Sequence, residues 1–211
     1  MSGQKHWEDV YNTKATDRVS WYQSTADTCL RRIMRTQVDL DEAVVDIGGG
    51  ASVLVDALLE HGFTDVTVLD LSSAALRLSQ ARLGERASTV RWLHQSVLDA
   101  DFPVGEVSVW HDRAVFHFMT TPEQRQAYYD AMASAVRPGA HAIVATFAED
   151  GPTKCSGLAV ARYTAEELAA AFSPAFALVS SERELHTTPG GSTQSFTVCH
   201  LQRASSSPNA K

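Results

Sequence analysis

The chain has 211 residues, 44% of them apolar, with a formal net charge of −7, which suits one well-buried core and is too short for two ordinary enzyme domains. The acidic balance opposes a phosphate backbone and so argues against nucleic acid as a partner. No run approaches the roughly 20 apolar residues of a membrane helix, and the polar, acidic start lacks a signal-peptide core, so the chain is expected in the cytoplasm and off the membrane.

Residues 5–27 mix aromatics with charges and show no sustained strand period. They predict a short helix, a loop and a second helical start, together read as a flap. Cys29, Leu30, Ile33, Met34 and Val38 recur near helical spacing, which predicts an amphipathic helix over 27–38. The first strong strand, 43–47, is β-branched and ends in Gly48-Gly49-Gly50; a helix over 52–61 closed by Gly62 follows. The pattern then repeats, with strand 66–69, helix 73–83, strands 89–93 and 106–110, and helix 122–136. After the turn Arg137-Pro138-Gly139 comes strand 141–147, and Thr164 caps a helix to about 172 with Glu166 and Glu167 in its first turn. Such alternation predicts a parallel sheet with helices on both faces. Strands 176–183 and 195–201, joined by HTTPGGSTQ, can pair as an antiparallel hairpin at the sheet edge.

The expectation is therefore an α/β fold, with a Rossmann-like, seven-stranded, mostly parallel sheet and a C-terminal antiparallel hairpin. One domain spans 1–203, with flap and helix in 1–38 and the core in 43–203, and residues 204–211 form a disordered tail. The three cysteines, Cys29, Cys155 and Cys199, are widely spaced without a C-x-x-C pair and read as reduced thiols.

In VVDIGGGASVL the strand ends at Asp46, and the glycines let backbone approach a ligand before a helix N-terminus presents free N–H groups. A dinucleotide fingerprint would need a small residue three places after Gly50, where Val53 stands. Asp70 closes the second strand 20 residues after Gly50, where a carboxylate can accept hydrogen bonds from both ribose hydroxyls. Its plainer role is to cap the next turn.

With DIGGGAS, VTVLDLS and RPGAHAIVATF in that order, residues 44–203 resemble the class I S-adenosylmethionine-dependent methyltransferases. The resemblance implies S-adenosylmethionine as cofactor and S-adenosylhomocysteine as product. It also implies that Asp46, Gly48 and Gly50 surround the methionine portion, that Asp70 holds the ribose and that Leu71 packs on adenine. The acid that the family often has after its third strand is replaced in HQSVLDADF by Ser96 and Val97, with Asp99 the alternative in a slipped alignment.

A sulfonium methyl is already electrophilic, so transfer needs in-line positioning of a nucleophile and sometimes loss of its proton; no metal is expected. The stretch WHDRAVFHFMTTPEQRQAYYDAM resembles the thiopurine and tellurite-resistance methyltransferases, whose Asp-Arg pair aligns with Asp112 and Arg113. That resemblance implies that Arg113 faces the acceptor; the alternative is an ion pair bracing the loop. His117 is a candidate base, or else a ring packed beside Phe116 and Phe118. Trp21 and Tyr22 are candidates for an aromatic lid over the substrate, or for ordinary flap packing. The Gly- and Pro-containing AEDGPTKCSGLAVARY suits a mobile cover. Its Lys154 and Cys155 either touch substrate or are a surface lysine and a packed thiol.

These residues point to methyl transfer to a small-molecule nucleophile such as a thiol or metalloid. A protein lysine methyltransferase is the alternative, because HWEDVYNTKATDRVSWYQ also resembles small class I lysine enzymes. Those often carry an acid, two residues and then Tyr or Phe, whereas Val115 stands three places after Asp112. A non-catalytic cofactor-binding module is the reading from another class, and a nicotinamide dehydrogenase ranks behind it.

Overall fold

The computed structural model describes residues 2–205. Met1 and all of the expected tail except Ala204 and Ser205 lie outside the described residues. Ala204 is tied down, its amide donating to the Ala175 carbonyl at 2.9 Å.

In chain order the elements are α1 (Ser2–Thr13), α2 (Asp27–Met34), β1 (Val44–Ile47), α3 (Leu54–His61), β2 (Val66–Asp70), α4 (Ser73–Leu83), β3 (Val90–His94) and β4 (Val107–Arg113). There follow α5 (Pro122–Ala135), β5 (Val136–Phe147), β6 (Lys154–Cys155), β7 (Leu158–Ala159), α6 (Ala165–Ala170), β8 (Phe176–Thr187) and β9 (Thr193–Arg203). The seven-stranded sheet has the order β3-β2-β1-β4-β5-β9-β8. Strands β1 to β5 run parallel, and β9 is antiparallel to both β5 and β8. The order reverses between β1 and β4, and the crevice outside the carboxyl ends of strands at such a point is where open α/β sheets bind ligands.

Alternate residues of each strand feed opposite faces. On one, Val44, Val66 and Val68 pack with Ile33 of α2, Leu54 and Leu58 of α3 and Leu76 of α4. On the other, Val45, Trp110 and Val144 pack with Tyr128 and Met132 of α5 and with Leu168 and Phe172 beyond. Fully burying one such side chain is worth roughly 1.5–3 kcal/mol. Local signals set the helix starts. The Ser72 hydroxyl accepts from the Ala75 amide at the head of α4, and both Thr121/Gln124 and Thr164/Glu167 close capping boxes. No helix among the described residues is long and apolar enough to cross a membrane.

The boundaries differ from expectation in ways that bear on the site. Strand β4 continues to Arg113 instead of ending at 110, so His111, Asp112 and Arg113 are strand residues. Their pairing with β5, Asp112 beside Val144 and Arg113 beside Ala145, sustains the extension. The expected turn Arg137-Pro138-Gly139 lies inside β5, at the level where its register with β4 shifts. Helix α2 stops at Met34, and β8 runs on to Thr187. The short pair β6–β7 gives the 148–163 segment a hairpin of its own.

Candidate functional site

Two cavities open at the carboxyl ends of β1, β2 and β4. The first, about 760 Å³, has Asp70, Leu71, Ser96, Val97 and Val115 on its walls, with Trp7, Phe118, Met119 and Cys155. The second, about 590 Å³, is bounded by Asp46, Gly49, Ser52 and His111, with Cys29 and Tyr22 on the α2 side. Gly48, Tyr11, Trp21 and Arg113 border both, so the two volumes adjoin.

The glycine turn shapes this floor. Gly48 has φ +66°, and a Cβ there would strike the Val115 side chain. Gly50 has φ +38° and does not itself line either cavity. A Cβ on Gly50 would lie 2.6 Å from Asp70 Oδ2, so its missing side chain is what lets Asp70 sit against the turn. Asp70 Oδ1 accepts from the Ser72 amide at 2.7 Å. Burial, reinforced by the nearby Asp46 and Glu8 carboxylates, pushes Asp70 up to about 7. Ser96 and Val97 do line the first cavity, whereas Asp99 is exposed and borders neither.

Strand alternation divides the three β4 residues. His111 and Arg113 face the cavities, and Asp112 between them points to the other side of the sheet, fully buried. There the Asp112 carboxylate accepts from the amides of Val115 and Phe116 at 2.8 and 2.9 Å and from the Tyr128 hydroxyl. It braces the turn after β4, which corrects its expected catalytic place. No Asp112–Arg113 pair forms, since Arg113 pairs instead with Glu184 at 3.2 Å and lies over the Phe196 ring at 4.6 Å.

His117 is also corrected. It is fully buried against Phe118 and Phe147, lines neither cavity, and neither ring nitrogen has a hydrogen-bond partner among the described residues. Burial, with the Arg113 charge nearby, lowers it to about 3 and keeps the ring neutral.

The roof comes from α1 and the segment after it. Trp7 stands edge-on to Trp21 and Phe118, at ring-centroid distances of 5.5 and 5.3 Å, and Trp21 Nε1 donates to the Tyr11 hydroxyl at 3.1 Å. Trp21 lines both cavities and Tyr22 the second, while Trp7 and Tyr11 were hidden in sequence because nothing local shows that α1 folds back. The Glu8 carboxylate accepts from the hydroxyls of Ser72 and Ser73 and from the Ala74 amide at 2.9 Å, latching α1 to the α4 N-terminus. Despite some desolvation, those bonds hold Glu8 down at about 2. Cys155 borders the first cavity, and Lys154 is exposed.

The floor fits S-adenosylmethionine. Asp70 offers a carboxylate that could accept from a ribose, Leu71 and Val97 offer apolar walls, and a second chamber bearing Asp46 and His111 adjoins. A methyltransferase-domain family matches residues 44–139, the segment that carries this floor. Residues 44–139 thus carry a methyltransferase domain. Among curated relatives of the chain, EEF1A lysine methyltransferase 2 of Mus musculus is 28% identical over 39% of the chain and 37% of its own length. The Homo sapiens protein of that name is 22% identical over 85% of the chain and 76% of its own length. The chain thus spans little more than a third of the mouse protein.

Solved structures share the fold. One described as "Conversion of a Disulfide Bond into a Thioacetal Group during Echinomycin Biosynthesis" superposes with a TM-score of 0.78 at 19% identity, covering 98% of this chain and 94% of that one. Burkholderia thailandensis 1,6-didemethyltoxoflavin-N1-methyltransferase, bound to its substrate and S-adenosylhomocysteine, gives 0.66 at 21% identity, with 96% and 84% covered.

Proposed function

We propose that this methyltransferase acts on a small-molecule acceptor that is already nucleophilic near neutral pH, a thiol or a heteroaromatic nitrogen. The observation that carries the reading is the absence of a working base on the acceptor walls among the described residues. Beyond Asp70, which serves the ribose, the first cavity presents aromatic and apolar surface from Trp7, Trp21, Val115, Phe118 and Met119. Its Cys155 thiol is pushed up to about 12 by burial, and burial likewise raises the Tyr11 phenol. His117 is sealed away and Asp112 faces the opposite side of the sheet.

Bound on this floor, S-adenosylmethionine supplies the electrophilic methyl group. The protein's share is to exclude water with the α1 roof, to hold the acceptor between aromatic faces and to set the angle of approach. Arg113, fixed by Glu184 and the Trp21 carbonyl, provides a positive wall that favours a thiolate over a thiol. A lysine ammonium, with a pKa near 10.4, would have to shed its proton first.

The second reading is a lysine side chain of a protein. The likeness to EEF1A lysine methyltransferases supports it, as do aromatic faces that attract cations. Release of S-adenosylhomocysteine from a panel of thiols, thiopurines, heteroaromatic amines and cell protein separates the two. Turnover of a small acceptor, with a rate that rises through the acceptor's own pKa, supports the proposal. Turnover with protein alone, with methyl-lysine detected by mass spectrometry, overturns it in favour of the second reading.

A further inference from the structure

Behind the acceptor wall, Arg113 of β4, Glu184 and Glu182 of β8 and Arg32 of α2 form a row of alternating charges. Glu184 divides its oxygens between two guanidiniums, Oε1 meeting Arg113 at 3.2 Å and Oε2 meeting Arg32 at 2.6 Å. Arg32 also meets Glu182 at 2.6 Å. The side chains of Arg113, Glu184 and Arg32 are only 9%, 11% and 9% exposed, whereas that of Glu182 is 43% exposed and screened by water. Burial opposes charge on Glu184, yet the Arg113 charge and the bond from Arg32 hold it below the usual carboxylate range, as an anion. The buried triad is therefore two cations around one anion. Replacing such buried charges with well-packed apolar residues is commonly neutral or stabilising, so fold stability is a weak reason for this triad to exist.

The excess positive charge has one outlet. Of the Lys and Arg side chains among the described residues, only Arg113 borders the two cavities, while Arg32 and Glu184 border neither. With Glu184 alone, Arg113 would present a neutral pair to the acceptor. We infer that Arg32 is a specificity-determining residue that acts through Glu184: by offsetting the Glu184 charge it leaves Arg113 an uncompensated cation, which selects an acceptor whose reacting end is an anion such as a thiolate. Arg32 bears on the reaction only through Arg113 on the acceptor wall, as proposed above. Failure of thiol turnover in the acceptor panel would sink that assignment without moving the quenching constants that follow, so the two can fail separately.

Quenching of tryptophan fluorescence by iodide reads the charge of this wall, because Trp7 and Trp21 border the first cavity with Arg113. Trp110 is fully buried, and Trp92 stands on β3 at the sheet edge opposite β8. With the full chain saturated with S-adenosylhomocysteine, Arg32→Met is expected to lower the iodide constant about twofold or more and Glu184→Gln to raise it. The neutral quencher acrylamide should respond to neither. Arg32→Lys, which keeps the charge, should retain the iodide constant of the unaltered protein. Arg35→Met, which removes a charge from the end of the same helix outside the triad, should also leave it unchanged. Iodide and acrylamide moving together, as a loosened roof would produce, or an iodide constant unmoved in Arg32→Met, overturns the inference. Should Arg32→Met fail to fold, Glu184→Gln decides, and an iodide constant that does not rise overturns it. Should neither fold, iodide against caesium on the unaltered protein decides: equal effects of the two ions, each taken relative to free tryptophan, overturn it.

Discussion

On the floor of the site, Asp46 and Asp70 stand 24 residues apart, and the turn between them is shaped by Gly48 and Gly50. In the roof, Glu8 reaches Ser72 across 64 residues and Ser73 across 65. The floor hangs on strand ends buried in the sheet, so it persists whatever the roof does. The roof is attached by a carboxylate latch and edge-to-face aromatics, contacts individually worth about 0.5–1.5 kcal/mol. Such a segment can open for ligand exchange without unfolding the core. Floor variants should therefore weaken binding, and roof variants should change its rates.

The largest effect is expected from Gly50→Val. With φ +38° and a Cβ 2.6 Å from Asp70 Oδ2, the side chain must drive Asp70 from its place. Cofactor affinity should fall below calorimetric detection while circular dichroism stays native; retained affinity would separate the turn from the site.

Asp70→Ala comes next, at about 1–3 kcal/mol of cofactor affinity, or roughly five- to 150-fold. Because Asp70 is raised to about 7 in the fold from 3.8, it binds its proton more tightly folded than unfolded. Its contribution to the free protein's stability is then complete below about 3.8 and lost as pH rises through 7. Cofactor binding, which uses the carboxylate as acceptor, should strengthen from pH 6 to 8 and be flat over that range in Asp70→Asn. A pH-independent affinity in the unaltered protein contradicts this.

His117→Ala lies outside both floor and roof and should cost about 2–3 kcal/mol in stability, with turnover preserved. Lowered to about 3, His117 contributes stability that is present above 6.5 and lost as pH falls toward 3. Melting temperatures at pH 5 and 7.5 measure this, and a hundredfold drop in single-turnover rate would restore the ring to the chemistry.

The smallest effect tests the roof itself. Glu8→Gln keeps the shape of the latch and removes its charge, so cofactor release should quicken about two- to tenfold by stopped-flow fluorescence of Trp7 and Trp21. Since Glu8 is held at about 2, well below 4.5, the latch contributes stability above 4.5 that disappears as pH falls toward 2. An unchanged release rate would make α1 a fixed wall, and the contrast between floor and roof would fail.

What sequence alone determined were features whose physical cause is short-ranged. The β-branched runs, the helix cap at Thr164, the glycine turn and Asp70 at a strand end all lie within windows where period and turn chemistry can be read. The antiparallel hairpin was legible for the same reason, though not its length. Tertiary structure alone decided which side of the sheet each β4 residue serves. Pairing with β5 carries the strand through Arg113, and the two-residue period then sends His111 and Arg113 to the cavities and Asp112 to the turn beneath. It also decided that α1 folds back over the crevice, because Glu8 finds its partners only once α4 has presented Ser72, Ser73 and the Ala74 amide at its N-terminus, more than 60 residues away.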